Sequence, residues 1–276
     1  MEPRYEAEYR LMLKTGSGPV TRKDVRDALS PLESGSDVML HVSLNNIGWI
    51  CGGPLALIQG VKDAVGERGH IVMPAHSNDI SDPGLWENPP VPEGWIDQVM
   101  DSMPPFDLHT ASCRRLGRTP ELFRTLPGVK RSSHPHYSIA CMGPDASSIL
   151  EPHPMDFSMG EHSPLARLYD RNVKILLMGV GFENCTMLHL AECRAADSRD
   201  KQCSYRAPVS VKNGKTQWEE YRDIDFNSDL FQEIGEAFCT EHPELWKTLS
   251  LGIGTVRILP SRELVDFAVA YMDQRL

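Results

Sequence analysis

Short, continuously apolar runs alternate along this chain with longer segments of helical period. Val38-Met39-Leu40-His41-Val42 precedes Leu55 to Val65, His70-Ile71-Val72-Met73 follows, and Val173-Lys174-Ile175-Leu176-Leu177-Met178 precedes Met187 to Ala195. A strand without polar alternation must be covered on both faces, and the intervening helices supply the cover, so the pattern predicts an α/β sheet. Thr21 with Asp24 three residues on reads as a helix start, as does Ser163-Pro164 ahead of Leu165 and Leu168, and Phe267 to Leu276 reads as a closing helix. The 276 residues hold one large α/β domain or two small ones; the lack of any linker, repeat or low-complexity tract favours one domain over residues 1–276.

From about residue 77 to 110 the periodicity fails. Asp79, Asp82, Glu87, Glu93 and Asp97 lie among Pro83, Pro89, Pro90 and Pro92, with Trp86, Trp95 and Phe106 between them. A long irregular insertion in a compact domain is usually a functional lid or disordered, and the aromatics favour an ordered, lid-like segment. A second acidic stretch runs Glu219-Glu220-Tyr221-Arg222-Asp223-Ile224-Asp225.

Composition removes several classes. The formal net charge is -10 and no Lys/Arg cluster is present, so a nucleic-acid partner has no electrostatic footing. The same charge suits a cationic small molecule, although solubility alone accounts for many acidic proteins. The charged start Met1-Glu2-Pro3-Arg4 is no secretory signal, and no run of about 18 apolar residues occurs, so a cytoplasmic chain without a membrane partner is expected. Seven scattered cysteines without a C-x-x-C pair argue for a reducing compartment and against a structural zinc site.

Two segments carry chemistry. In Gly179-Val180-Gly181-Phe182-Glu183-Asn184-Cys185-Thr186-Met187-Leu188-His189-Leu190-Ala191-Glu192 an apolar strand turns into a helix, with Asn184 as the expected N-cap. The carboxyl end of a strand is where open α/β sheets hold ligands. Thr186, His189 and Glu192 then share one helical face, presenting a hydroxyl, a base at neutral pH and a carboxylate to orient it. The competing reading is an ordinary helix with one hydrogen-bonded histidine and a solvated glutamate. Thr186 or the N–H groups at the helix start would face a developing oxyanion, and Cys185 opens a route through an acyl-thiol.

The second segment, Leu40 through Gly53, is a strand, a Ser/Asn/Gly loop and a helix starting near Pro54; its glycines allow close backbone approach and its helix start suits a phosphate. It has neither the P-loop nor the dinucleotide fingerprint. His134-Pro135-His136, His153-Pro154 and His162 raise a metal site, but loop histidines beside proline are more often structural, and no metal is expected.

Taken in order, these stretches resemble the aminoglycoside 3-N-acetyltransferase family. The similar residues are His41-Val42-Ser43-Leu44 to Gly52-Gly53, Val72-Met73-Pro74-Ala75-His76-Ser77, Asp82-Pro83 through Glu93, His134-Pro135-His136, His153-Pro154-Met155-Asp156-Phe157, Gly160-Glu161, Ser163 to Arg167, and Asn184 to Glu192, across about residues 20 to 270. The resemblance implies a single α/β domain with a central mixed sheet flanked by helices, acetyl-CoA as donor, and an amine of a polycationic aminoglycoside as acceptor. It implies His189 as general base, Glu192 as its partner and Thr186 beside the thioester. It places acetyl-CoA on His41, Val42, Ser43, Leu44, Gly48, Gly52, Gly53, Arg114, Leu116 and Gly117, and the acceptor on Asp79, Trp86, Glu93, Asp156, Asp223 and Asp225. Cys185 and Met187 stand where the family commonly has small polar residues, and Arg115 where glycine is common. The expected reaction is direct transfer to the 3-amino group of a 2-deoxystreptamine aminoglycoside, conferring antibiotic resistance, by a monomer or homodimer. The alternatives are an N-acetyltransferase for a biosynthetic primary amine, a metal-assisted hydrolase, and a non-catalytic sensor of CoA or a cationic ligand.

Overall fold

A computed structural model describes residues 3–275. The helices are α1 (Pro3–Thr15), α2 (Arg22–Ala28), α3 (Leu44–Ile47), α4 (Gly53–Val65), α5 (Ile96–Ser102), α6 (Arg118–Phe123), α7 (Ala146–Leu150), α8 (Pro164–Asp170), α9 (Leu188–Arg194), α10 (Phe231–Glu241) and α11 (Ser261–Asp273). The strands are β1 (Val38–Val42), β2 (Ile71–Pro74), β3 (Val129–Arg131), β4 (Ile139–Met142), β5 (Lys174–Met178), β6 (Gln202–Lys212), β7 (Lys215–Ile224), β8 (Lys247–Leu251) and β9 (Gly254–Pro260). The closing helix starts before Phe267, at Ser261; Met1, Glu2 and Leu276, which the sequence reading also used, lie outside the described residues.

Seven strands form one mixed sheet in the order β3-β4-β2-β1-β5-β9-β8. β1 runs parallel to β2 and β5, and antiparallel strands extend both edges. Alternation along the central strands sorts the core into two layers. Val38, Leu40, Ile71, Met73, Leu176 and Met178 pack with Val25, Leu57 and Val61 of α2 and α4. Met39, Val72, Ile175 and Leu177 pack with Leu165, Leu190, Phe231 and Leu264 of α8 to α11. Each such side chain contributes about 1.5–3 kcal/mol relative to exposure, which is why uninterrupted apolar runs were needed in the middle of the sheet. The expected helix starts are present: Asp24 N–H and Thr21 Oγ1 pair at 3.3 Å while Asp24 Oδ2 accepts from Thr21 N–H at 2.8 Å, and Ser163 Oγ accepts from Leu165 N–H at 3.1 Å.

The insertion is ordered. It folds as short 3-10 turns and α5 around Ile80, Trp86, Val99, Met103 and Phe106, which pack on Trp218 of β7. Arg131, itself buried, anchors its two ends, donating to Ala75 O and Ser77 Oγ at 2.6 Å and to Ala111 O at 2.6 Å. The β6–β7 hairpin stands apart from the main sheet and closes on the insertion, where Phe106 N–H donates to Pro208 O at 2.9 Å and Trp218 Nε1–H to Met100 O at 3.0 Å. The carboxyl ends of β1, β2 and β5 therefore open into a cleft walled by the insertion and the hairpin.

Candidate active site

The segment after β5 is not one continuous helix from Asn184. Gly179 turns the chain with φ +67, a 3-10 turn covers Phe182–Asn184, and α9 begins only at Leu188. Phe182 explains the break: its ring is fully buried against Gly235 of α10, and Cys185 follows in extended backbone. Asn184 is thus no N-cap, and its side chain donates to Glu183 Oε1 at 2.7 Å. The N–H groups at the helix start are also spent, those of Leu188, His189 and Leu190 donating to the carbonyls of Cys185, Thr186 and Met187. This removes them as oxyanion donors and leaves the Thr186 hydroxyl.

One turn of α9 brings His189 Nδ1 to 2.6 Å from Glu192 Oε2. Glu192 is nearly closed to solvent, with its side chain 3% exposed, and its other oxygen accepts from Asn227 N–H at 2.9 Å. Phe226 and Phe231 pack edge-on against the imidazole at centroid distances of 5.1 and 4.9 Å. The ring is therefore fixed with Nδ1–H on the carboxylate and Nε2 left for a ligand.

His189 and Thr186 line a cavity of about 250 Å³ at the ends of β1 and β2, together with His41, Val42, His76, Arg115 and Leu116. His41 and His76 are held neutral there, burial pushing each down to about 3 with the nearby His189 adding to the effect. The Nε2 atoms of both rings are buried without a partner among the described residues. His76 was not singled out by the sequence reading. Its signal was available, because it lies just past a central parallel strand, as His41 lies at the end of one.

The residues expected to hold acetyl-CoA divide. His41, Val42 and Leu116 border the catalytic cavity. Leu44, Gly48, Gly52 and Gly53 border a larger surface cavity of about 810 Å³ against α1, which also presents Lys14 and Arg118. Ser43 joins the two loops through its N–H on Met178 O, Gly117 makes the positive-φ turn into α6, and Arg114 donates to Asp79 Oδ2 at 2.9 Å.

The residues expected on the acceptor side divide more sharply. Trp86 lines a third cavity, of about 360 Å³, which meets the catalytic one at Arg115 and also includes Asp82, Tyr137, Tyr205 and Arg206. Asp79 lies behind Arg114 and Arg115 and accepts from both. Glu93 and Asp225 are exposed and border none of these three cavities, and Asp156 accepts from Arg222 N–H at 2.9 Å. Asp223, expected on the acceptor side, lies inside the fold and borders none of the three. It is fully buried, accepts from Ser158 N–H and Oγ–H at 3.2 and 2.5 Å, and burial raises it to about 6. Arg206 gave no sequence signal, since its partner Asp82 lies 124 residues away.

Two of the loop histidines, His134 and His153, spend both ring nitrogens inside the fold, while His136 meets Tyr221 Oη through Nδ1 and lines the third cavity. His134 accepts on Nδ1 from the N–H groups of His136 and Tyr137 and donates from Nε2 to Met155 O, while His153 uses Ser132 Oγ and Ser158 O. Cys185 is fully buried, which pushes its thiol up to about 12, so it is a poor nucleophile.

Fold and site together describe an α/β enzyme whose central strands end at a small open cleft lined by an imidazole that a buried carboxylate orients, the equipment of a group-transfer catalyst. The chain belongs to the aminoglycoside 3-N-acetyltransferase family, whose profile matches residues 39–273. It is 43% identical over 253 residues to the SPbeta prophage-derived aminoglycoside N(3')-acetyltransferase-like protein YokD of Bacillus subtilis (strain 168), covering 91% of each chain. The crystal structure of YokD superposes with a TM-score of 0.88, at 41% identity over 95% of this chain and 96% of that one. Aminoglycoside N(3)-acetyltransferase VIII of Streptomyces fradiae is 37% identical, covering 96% of each chain. The structure of AAC-IIIb in binary complex with CoASH superposes with a TM-score of 0.78, at 26% identity over 94% of this chain and 98% of that one.

Proposed function

We propose that this chain transfers an acetyl group from acetyl-CoA directly to a primary amine, with the 3-amino group of a 2-deoxystreptamine aminoglycoside as the acceptor its family suggests. The observation that carries the reading is the fixed chain from Asn227 N–H through Glu192 to His189, with Nε2 of His189 at the cavity where the strands end. His189 accepts the amine proton through Nε2 as the nitrogen attacks the thioester carbonyl, and Glu192 faces the positive charge that then appears on the ring. The Thr186 hydroxyl, on the same cavity wall, faces the charge developing on the carbonyl oxygen. The thiolate of CoA leaves, and the amide has one positive charge fewer than the amine. Burial of the Cys185 thiol supports direct transfer over an acyl-enzyme route.

The basic cavity beside α1 fits the donor's phosphates. Lys14 and Arg118 stand near the start of α4, where Gly53 has open space at its Cβ position. From there Val42 and Leu116 line the way to His189. A structural relative binds CoASH, which is consistent with this placement. Loss of a charge from a polycation that binds RNA through its charge is also the physical basis for resistance. The test is thiol release from acetyl-CoA across a panel of aminoglycosides, with His189→Ala alongside and product mass spectrometry. A gain of one acetyl group that disappears in the variant is expected; full turnover by His189→Ala would sink the assignment of the base.

A further inference from the structure

The acceptor that the family suggests is a polycation, and several acidic side chains near the cleft are already committed. Asp79 accepts from Arg114 at 2.9 Å and from Arg115 at 2.6 Å, and Asp82 is held by Nε and Nη2 of Arg206 at 2.8 and 2.5 Å. Two carboxylates on the cavity walls differ. Glu183 lines the catalytic cavity with Thr186 and His189, and Glu87 lines the neighbouring cavity with Trp86 and Tyr205. Both are exposed, and neither has a cation partner among the described residues.

The surroundings of each suit an ammonium group. Glu183 Oε1 accepts from Gly181 N–H at 3.3 Å and from Asn184 Nδ2–H at 2.7 Å, which fixes the side chain and leaves Oε2 for a ligand. On the same cavity wall the buried rings of His41 and His76 keep Nε2 unpartnered among the described residues, so this cavity holds polar capacity that the fold does not use. Glu87 has aromatic faces in its cavity, which attract a cation further. Arg115 borders both cavities, and Asp79 takes only its Nε. A cation is repelled at that point, whereas a hydroxyl or ether oxygen accepts from the remaining guanidinium N–H groups. Along its length the cleft is thus complementary to ammonium, neutral oxygen and ammonium in turn.

We infer that Glu183 and Glu87 select the acceptor, an amine whose positive charges are separated by a hydroxyl- or ether-bearing stretch. Glu183 takes the ammonium next to the reacting amine, Glu87 takes a more distant one, and the neutral stretch passes Arg115. The inference rests on the acetyl-transfer reading and deepens it, by assigning the acceptor's charges to two residues in place of the committed Asp79.

Glutamine in place of either glutamate keeps the shape and one acceptor oxygen and removes only the charge. Kanamycin is the probe, with calorimetry for binding and thiol release for turnover. Glu183→Gln and Glu87→Gln should each raise its Kd about three- to tenfold, and together about ten- to a hundredfold, since the two share no partner. Added salt should weaken binding to the double variant less steeply than to the parent, and the KM for acetyl-CoA should stay within about twofold. Glu93→Gln, on the same insertion as Glu87 but bordering none of the three cavities, should leave the Kd within about twofold. A loss there equal to that of Glu87→Gln would overturn the proposal, because the overall negative field would then account for both. A double variant that binds and acetylates kanamycin as the parent does would overturn it while leaving the transfer reaction standing, and a parent that does not bind kanamycin would overturn it as well. Binding that depends on both glutamates, with no thiol release, would uphold the two contacts and sink the transfer reading.

Discussion

Acidification tests the interior of this protein more severely than any single substitution. Five buried histidines are held well below the ordinary value of about 6.5: His41 and His76 to about 3, His134 to about 2, and His136 and His153 to about 4, with burial the largest cause in each. Geometry agrees for His134, whose Nδ1 accepts two backbone N–H groups and has no room for a proton. Below pH 6.5 the unfolded chain takes up protons that the native state refuses. The associated stability is therefore fully present above pH 6.5 and is lost as the pH falls toward the folded values, at about 1.4 kcal/mol per histidine per pH unit. At pH 5 each ring has cost about 2 kcal/mol and the five together about 10 kcal/mol. Asp223 works in the opposite sense: raised to about 6 in the fold, it is relieved as it protonates and returns about 1 kcal/mol by pH 5. The net loss of about 9 kcal/mol by pH 5 is most or all of a stability in the lower half of the usual range of about 5–15 kcal/mol, so the stability falls most steeply from about pH 6 downward. Urea titrations followed by tryptophan fluorescence at half-unit pH steps should show the midpoint collapsing over that range. Calorimetry in buffers of different ionisation enthalpy should count about four protons taken up per chain on unfolding near pH 5, the histidines' uptake less the one that Asp223 releases. A midpoint that holds from pH 7.5 to 5, with one proton or fewer taken up, would refute the reasoning, because the rings would then be charged in the native state.

Other expectations concern the catalytic helix and its supports. His189→Ala should lower kcat by roughly a hundred- to ten-thousand-fold. Glu192→Gln should give a loss of similar order, since one of its two ends then presents a donor where Asn227 N–H or His189 Nδ1–H needs an acceptor. Steady-state thiol release reads both, and a Glu192→Gln enzyme within about twofold of the original would remove the carboxylate from the mechanism. Cys185→Ala should keep turnover within about threefold and show no acetylated protein by mass spectrometry; an acyl-protein adduct in the parent that vanishes in the variant would reinstate the thiol route. Gly235→Ala would set a Cβ 2.0 Å from the Phe182 ring, costing about 3 kcal/mol; thermal unfolding reads the loss, and an unchanged Tm would mean that the turn before the catalytic segment is not fixed by α10.

The central sheet was legible because β1, β2 and β5 are buried on both faces and so appear as unbroken apolar runs. β8 and β9 lie toward one edge, where Lys247, Ser250 and Arg257 interrupt the pattern, and these strands left no clear trace. His189 and Glu192 could be paired because they sit three residues apart on one helix. Their third partner, Asn227 N–H, is 35 residues from Glu192 and contributes only backbone, which no residue type announces. Asp79 and Asp82 of the insertion read as unpaired negative charge because charges can be counted along a chain, whereas their arginine partners are assigned only by the fold. Arg206 on Asp82 and the burial of Asp223 under Ser158 are both consequences of how the hairpin closes on the insertion.

That hairpin has a further property. β6 carries Tyr205 and Arg206 to the wall of the cavity that Trp86 lines, and the same backbone, leaving β7 at Ile224, next supplies the Phe226 ring against His189 and the Asn227 N–H to Glu192. The wall of that cavity and the support of His189 are thus written on one uninterrupted ribbon of about 25 residues. A hairpin exchanged between relatives to change the acceptor would have to travel together with residues 226 and 227, because a splice placed before them would deliver a new wall onto a base whose support had been cut.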